Sequence, residues 1–261
     1  MDIQLKDKII IVTGGAKGIG AAIVKLLARE GAIPVIVGRH EQDNIKLANE
    51  VENAGGICMQ IVAELIQPEN CAIVIEKVVD KYGRIDGLVN NAGVNDRVGL
   101  ETGDYTRFMH SLHKNVIHYY LMAHFALPYL KLSQGVILNI GSKTAETGQG
   151  GTSAYAASNG ARNALTREWA VELLPYKIRV NSVIVAECWT PLYENWINTI
   201  SDAEQKLSDI KAKIPFENRL TTAEEIANMS VFLLSDISSH TTGQLIHVDG
   251  GYVHLDRAVV K

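Results

Sequence analysis

A chain of 261 residues, 47% apolar and 21% charged with no low-complexity run, has the composition of a packed α/β protein and not of a disordered one. A net charge of −4 without a basic, aromatic-interleaved cluster argues against a nucleic-acid binder. The charged opening MDIQLKDK and the lack of a long apolar run argue against a secretory leader or a membrane span. Three scattered cysteines (Cys58, Cys71, Cys188) speak against a disulfide framework or zinc site and for a reducing, cytoplasmic setting. His110 and His113 stand at helical i,i+3 spacing with His118 beyond. No carboxylate or cysteine completes a ligand set there, so no metal site is expected.

Residues 8–12 (KIIIV) are a β-branched run ending in TGGAKGIG, after which Ile23, Leu26 and Leu27 recur at helical spacing up to Gly31. This reads as strand, glycine-rich turn and helix. The runs 33–37 and 57–62 read as strands two and three, with a helix over 41–54 between them. Pro68 opens a helix that reaches Tyr82-Gly83, and 85–90 (IDGLVN) is strand four. A long helix is predicted over 104–127, with Pro128 near its end, and 136–140 is strand five. The helix carrying Tyr155 spans 153–174 and stops before Pro175; 178–184 is strand six. Residues 190–215 read as a helical excursion, followed by a helix over 222–234 and a last strand over 244–248. Alternating strands and helices imply βαβ units with right-handed crossovers. The expected fold is one α/β domain over 1–261: a doubly wound, Rossmann-type parallel sheet of about seven strands, helices on both faces and a small helical lid at about 188–215.

In such a sheet the ligand crevice lies at the C-terminal strand ends, where strand order reverses. The turn Thr13-Gly14-x-x-x-Gly18-x-Gly20 sits there. Gly14 and Gly18 permit close backbone approach, Gly20 permits close helix packing, and the helix N-terminus offers free N–H groups to a pyrophosphate. The end of strand two holds Gly38, Arg39 and His40 in place of the acid that would bind a ribose 2′-hydroxyl. With Lys17 in the turn, two cations converge there and favour the 2′-phosphate of NADP, NAD remaining possible. Glu64, after strand three, is placed to accept from an adenine amino group.

Strand five leads into Ser142, and Tyr155 follows on the next helix. A hydroxyl and a phenol brought together bind a carbonyl or alcohol oxygen and exchange a proton with it. A cation one helical turn from the phenol would favour its ionised form. That position holds Asn159, an uncharged amide. Lys143, adjacent to Ser142, is an alternative source of charge.

These motifs resemble the short-chain dehydrogenase/reductase family over nearly the whole chain: TGGAKGIG (13–20), NNAG (90–93), Asn115, Ser142, YAAS (155–158), VNSV in strand six, Thr190-Pro191 and TGQLIHVDGGY (242–252). The resemblance implies Tyr155 as acid/base, Ser142 holding the same substrate oxygen, and Asn115 distorting the long helix and holding a relay water. It places Ile19, Asn91, Ala92, Gly93, Thr190 and the backbone near Cys188 against the cofactor. In the family the residue at 159 is lysine, which binds the nicotinamide ribose and favours the tyrosinate. Asn159 is then expected to keep cofactor binding but weaken turnover near neutral pH, with recovery toward alkaline pH and on Asn159→Lys.

Within the family, GVND (93–96), SKTAETGQGGTSAY (142–155), LTREWA (165–170), AECWTPLY (186–193) and GGYVHLDRA (250–258) look like bacterial L-fucose dehydrogenases, which oxidise the anomeric carbon of an aldose to the lactone. Asn95, Gln149 and Glu187 would rim a sugar site, and Trp189, Tyr193 or Trp196 would cover a sugar face. Val185-Ala186-Glu187 departs from the family's Pro-Gly. A keto acid, ketose or 3-oxoacyl thioester substrate stays open, as does a silent cofactor-binding protein. The resemblance also implies a homotetramer, in which a tail carrying His254, Asp256 and Arg257 would reach a neighbour's site.

Overall fold

In β1 (Ile9–Thr13) the pleat sends Ile10 and Val12 to one face and Ile9 and Ile11 to the other. All four are buried, so both faces of the sheet have to be covered. The structure, a computed structural model, describes residues 2–256. Among them β1, β2 (Ile33–Gly38), β3 (Met59–Val62), β4 (Gly87–Asn90), β5 (Val136–Ser142), β6 (Arg179–Val185) and β7 (Leu245–Val248) form one sheet, ordered β3-β2-β1-β4-β5-β6-β7. Every pairing is parallel.

The helices are α1 (Gly18–Arg29), α2 (Glu41–Asn53), α3 (Pro68–Tyr82), α4 (Tyr105–Leu112), α5 (His118–Ser133), α6 (Ser153–Glu172), α7 (Pro191–Ile197), α8 (Ala203–Lys211) and α9 (Ala223–Leu234). Ile23 and Leu27 of α1, Leu47 and Val51 of α2, and Ile226 and Val231 of α9 pack on the Ile10/Val12 face. Val74 and Val78 of α3, Tyr119 and Met122 of α5, and Trp169 of α6 pack on the other. Each buried Ile, Leu or Val side chain contributes about 1.5–3 kcal/mol. Helix ends follow local chemistry. Pro68 sits in the first turn of α3 and Gly83, at φ 70°, ends it. Thr222 and Glu225 form a capping box on α9.

The chain leaves β1 toward β2 and β3, then returns to place β4 on β1's other side, which opens a crevice at their C-terminal ends. One buried hydroxyl closes the seam beneath it. Thr13 Oγ1 donates to the Val89 carbonyl and accepts from the backbone N–H groups of Asn91 (2.9 Å) and Ala92 (3.1 Å). The Asn91 side chain answers by donating to the carbonyls of Thr13 and Gly14.

The predicted fold class is observed, with local corrections. The third strand starts at Met59, because Ile57 is exposed and lies before the pairing with β2. The long helix passes through Pro128 and ends at Ser133, with Gln134 in the left-handed region. Pro128 cannot donate to the His124 carbonyl, but His124 is on the exposed face, where solvent is free to satisfy that carbonyl. The tyrosine helix ends at Glu172, and Pro175 lies within a 3₁₀ turn, Leu174–Tyr176. The helical excursion is α7 and α8. Of the tail, His254 packs edge-on against His247 of the same chain, with ring centroids 4.4 Å apart, and Arg257 lies outside the described residues. No helix among the described residues is long and apolar enough to cross a membrane.

Thr13→Val keeps the shape of this seam but leaves two buried N–H groups and a carbonyl without their partner. It is expected to lower unfolding free energy by about 2–3 kcal/mol, read from urea denaturation midpoints at unchanged slope.

Candidate active site

A cleft of about 560 Å³ opens above the C-terminal ends of β1, β4 and β5. At one end is the glycine turn, where Gly14 (φ 60°) and Gly18 (φ 54°) take conformations that side chains resist. A Cβ on Gly20 would lie 2.2 Å from the Gly14 carbonyl oxygen, so this glycine closes the turn on itself. Gly14, Lys17, Gly18 and Ile19 line the cleft, as do Arg39, His40 and Glu64 from the ends of β2 and β3. Asn91, Ala92, Gly93 and Thr190 line it from the facing side, while Gly20 stands behind the turn. The two predicted cations are partnered: Lys17 with Asp43 at 2.7 Å and Arg39 with Glu64 at 3.7 Å. All four side chains keep solvent contact, so these pairs are weak and yield readily to a ligand. Asp43 is an acid the sequence reading did not place here.

At the other end Ser142 and Tyr155 line the same cleft. Ser142 is buried at the last residue of β5, and its Oγ accepts from the backbone N–H and hydroxyl of Thr144. Asn115 lies within a π turn, His113–Ile117, that separates α4 from α5. Its side chain is fixed on both sides, Oδ1 accepting from Val94 N–H at 2.8 Å and Nδ2 donating to the Ser111 carbonyl. Its own carbonyl accepts at 2.7 Å from Nε of Arg162.

Asn159 departs from expectation. It is fully buried and does not line the cleft. Its Nδ2 donates to the Tyr155 backbone carbonyl (2.9 Å), and its Oδ1 accepts from Arg162 Nη1 (3.0 Å). Arg162, one more helical step along α6, lines the cleft with Tyr155.

The chain compares closely with known proteins. A family model described as "Enoyl-(Acyl carrier protein) reductase" matches residues 14–253. The 3-oxoacyl-[acyl-carrier-protein] reductase FabG of Thermotoga maritima is 36% identical, over 96% of this chain and all of that protein. The L-fucose dehydrogenase of Bos taurus is 29% identical, over 96% of this chain and 91% of its own length. The solved structure of the Cj0485 dehydrogenase is 44% identical over the full length of both chains, with a TM-score of 0.94. This chain belongs to the short-chain dehydrogenase/reductase family. Members of that family are NAD(P)-dependent oxidoreductases, and the glycine cradle, which a Cβ at Gly14 or Gly20 would obstruct, suits a dinucleotide.

Several residues predicted in this oxidoreductase's site lie elsewhere. Cys188 is buried outside the cleft, where Cys188 and Thr221 form an isolated β-bridge; burial pushes its thiol up to about 12, so it is inert. Val185 and Ala186 line the cleft in its place. Asn95 accepts from the Arg97 N–H, Gln149 is exposed, and Trp189 is tilted at 49° against the Tyr193 ring, with centroids 6.0 Å apart; none of the three lines the cleft. Glu187 forms a buried ion pair with Lys143, whose ammonium also lies 3.8 Å from the Tyr252 ring. Lys143 is therefore neutralised by Glu187 and does not replace the family's lysine. Tyr193 stands beside this pair. Burial first, and then the Glu187 carboxylate, push its phenol upward and keep it a donor.

Besides Asp43, sequence reasoning missed three features. Arg162 was signalled, because 155, 159 and 162 share one helical face. His118, at i+3 from Asn115, lines the cleft and was read only as a rejected metal ligand. Glu146, His247 and His254 bring their ligand atoms within 4.8 Å of one another, and His247 bonds both Glu146 oxygens; no local spacing announces residues so far apart in sequence.

Burial, aided by the nearby Arg162 charge and opposed by the hydrogen bond to the Lys114 carbonyl, pushes the His118 imidazole down to about 4. The unfolded chain therefore binds this proton first as pH falls. Stability supplied by neutral His118 is complete above about 6.5 and lost on descent to about 4. His118→Gln should lose less stability than the parent across that window, as measured by denaturation at both ends of it.

Proposed function

We propose that this dehydrogenase oxidises the anomeric carbon of L-fucose or a related aldose to the lactone, with NADP(H) preferred to NAD(H). The observation that carries the reading is that Asn195 of α7 lines the same cleft as Ser142 and Tyr155, while the Lys143–Glu187 pair and the Tyr193 phenol stand outside that lining. A sugar needs such donors and acceptors, because burying an unpaired hydroxyl costs about 1–3 kcal/mol. The L-fucose dehydrogenase relative is consistent with it. FabG is the more similar of the two relatives, at 36% against 29% identity, but the 190–215 segment is mixed in charge, with Lys206, Lys211 and Lys213 among acids, and gives little sign of a basic rim for a phosphopantetheine carrier. The residues α7 adds to the cleft are Pro191, Leu192 and Asn195.

In this reading Tyr155 takes the proton of the C1 hydroxyl and Ser142 holds the same oxygen as C1=O forms. A bound nicotinamide dinucleotide supplies the acceptor for the hydride that leaves C1. Asn115 and Asn159 act as positioning residues, the first through the π turn and the second through the Tyr155 backbone. The 2′-phosphate would displace Glu64 from Arg39 and Asp43 from Lys17. The chain works as one domain, with α7 and α8 as the lid, and a homotetramer is the assembly we expect.

A panel of aldoses, ketoses, keto acids and a 3-oxoacyl thioester, assayed with both cofactors at neutral and alkaline pH, tests this. Aldose oxidation should exceed all other rates, and a faster thioester or ketone reduction would overturn the assignment. Binding of NADPH with no turnover of any compound at any pH would leave a silent cofactor-binding protein. Tyr155→Phe and Ser142→Ala should each lower kcat by at least about a hundredfold. Arg39→Ala should weaken NADPH by about tenfold and spare NADH; equal weakening of both would remove the NADP preference.

A further inference from the structure

The side chain of Arg162 is 3% exposed. Its guanidinium lies 4.2 Å from the Tyr119 ring, and no carboxylate pairs with it among the described residues. Most of its donors are committed. Nε donates to the Asn115 carbonyl, and Nη1 donates to the Ile140 carbonyl (3.1 Å) and to Asn159 Oδ1. Nη2 is buried without a hydrogen-bond partner among the described residues, and it lies against Gly93 at the cleft wall, where a Cβ would come within 2.9 Å of it. A buried guanidinium with no counter-ion and an unmet donor is costly unless a ligand supplies an acceptor.

A second polar atom in this corner is in the same condition. His118 lines the cleft, and its Nδ1 is also buried without a partner among the described residues. Its Nε2 faces the Lys114 carbonyl, which accepts only, so Nε2 carries the proton and Nδ1 is an acceptor. One unmet donor and one unmet acceptor, on two residues that line the same cleft, suit the hydroxyl groups of a ligand, which can both accept and donate. Asn159 cannot serve such a ligand, because both ends of its amide are occupied within the fold.

We propose that Arg162 is the cofactor-binding cation of this site: Nη2 donates to a hydroxyl of the nicotinamide ribose at the Gly93 wall, with His118 Nδ1 as the complementary acceptor. Nη1 and Nε meanwhile act as positioning groups, holding Asn159 and the π turn at Asn115. The charge that the family carries at position 159 is thus supplied from position 162. The proposal rests on the dinucleotide reading of the cleft.

The test compares two ligands on the full-length apo protein by calorimetry, with folding followed by thermal denaturation. NADP⁺ carries the nicotinamide ribose, and 2′,5′-ADP carries only the adenosine end. Arg162→Gln should weaken NADP⁺ by about ten- to a hundredfold, the value of a charge-assisted hydrogen bond, and change 2′,5′-ADP by less than about twofold. Arg162→Lys should fall between the parent and Arg162→Gln. The double variant Asn159→Lys/Arg162→Gln, which returns the cation to position 159, should recover most of the loss. Equal weakening of both ligands, or of neither, overturns the proposal. If Arg162→Gln does not fold, the same comparison on Arg162→Lys decides, and an unchanged ratio of the two affinities overturns it. A parent protein that binds neither ligand overturns the dinucleotide reading itself, a result distinct from any variant effect.

Discussion

The hydroxyl of Thr13 holds together the two turns on which the cleft is built. It lies at the end of β1, where the chain's direction of winding reverses, and binds the strand that leaves toward the glycine turn to the strand that leads into Asn91-Ala92-Gly93. Parallel strands end with unpaired N–H groups on their last residues, and those groups need partners once buried. A threonine satisfies two of them and gives its own proton to a third group, so the two sides of the crevice keep a constant separation. Asn91 adds the reverse contacts to Thr13 and Gly14. Its side-chain amide serves the scaffold even though the residue lines the cleft.

Two cations near the reacting end are buried, and their partners differ. Lys143 faces Glu187, and the pair behaves as a neutral, polar body beside Ser142. Arg162 has carbonyls, an aromatic ring and an amide, but no carboxylate among the described residues. In a low-dielectric interior the first arrangement cancels its own field and the second projects it. The downward push on His118 is one place where that field registers, with burial as its larger cause. An uncompensated guanidinium beside a cleft is better suited to binding an electron-rich ligand group than to supporting the core.

Much of this was legible from the chain because each signal was local. Strand–turn–helix order, the glycine spacing, Pro68 at a helix start and Gly83 at its end all act over a few residues, and the structure agrees there. What could not be read depends on which distant groups meet. Nothing near Lys143 reveals that Glu187 neutralises it, and nothing near Cys188 shows that Thr221 bridges it away from the cleft. Pro128 was misjudged because a proline's cost depends on whether its lost partner faces water, which is a tertiary property. Residues proposed to touch a sugar, Asn95, Gln149 and Trp189, were taken from stretches that resemble L-fucose dehydrogenases, and none of the three lines the cleft.

Asn159 reads differently once its two contacts are considered together. An amide both donates and accepts, and here it does both: to the Tyr155 carbonyl and from the Arg162 guanidinium. A lysine at 159 only donates, so beside Arg162 it would leave Nη1 short of an acceptor and set two positive charges one helical step apart. The reverse also holds. With an aliphatic residue at 162, Asn159 would lose the partner that orients it. Positions 159 and 162 are therefore coupled, and the departure from the family at one is intelligible only with the other. The substitution that looks like a missing charge when read along the chain is half of an exchange when read around the helix.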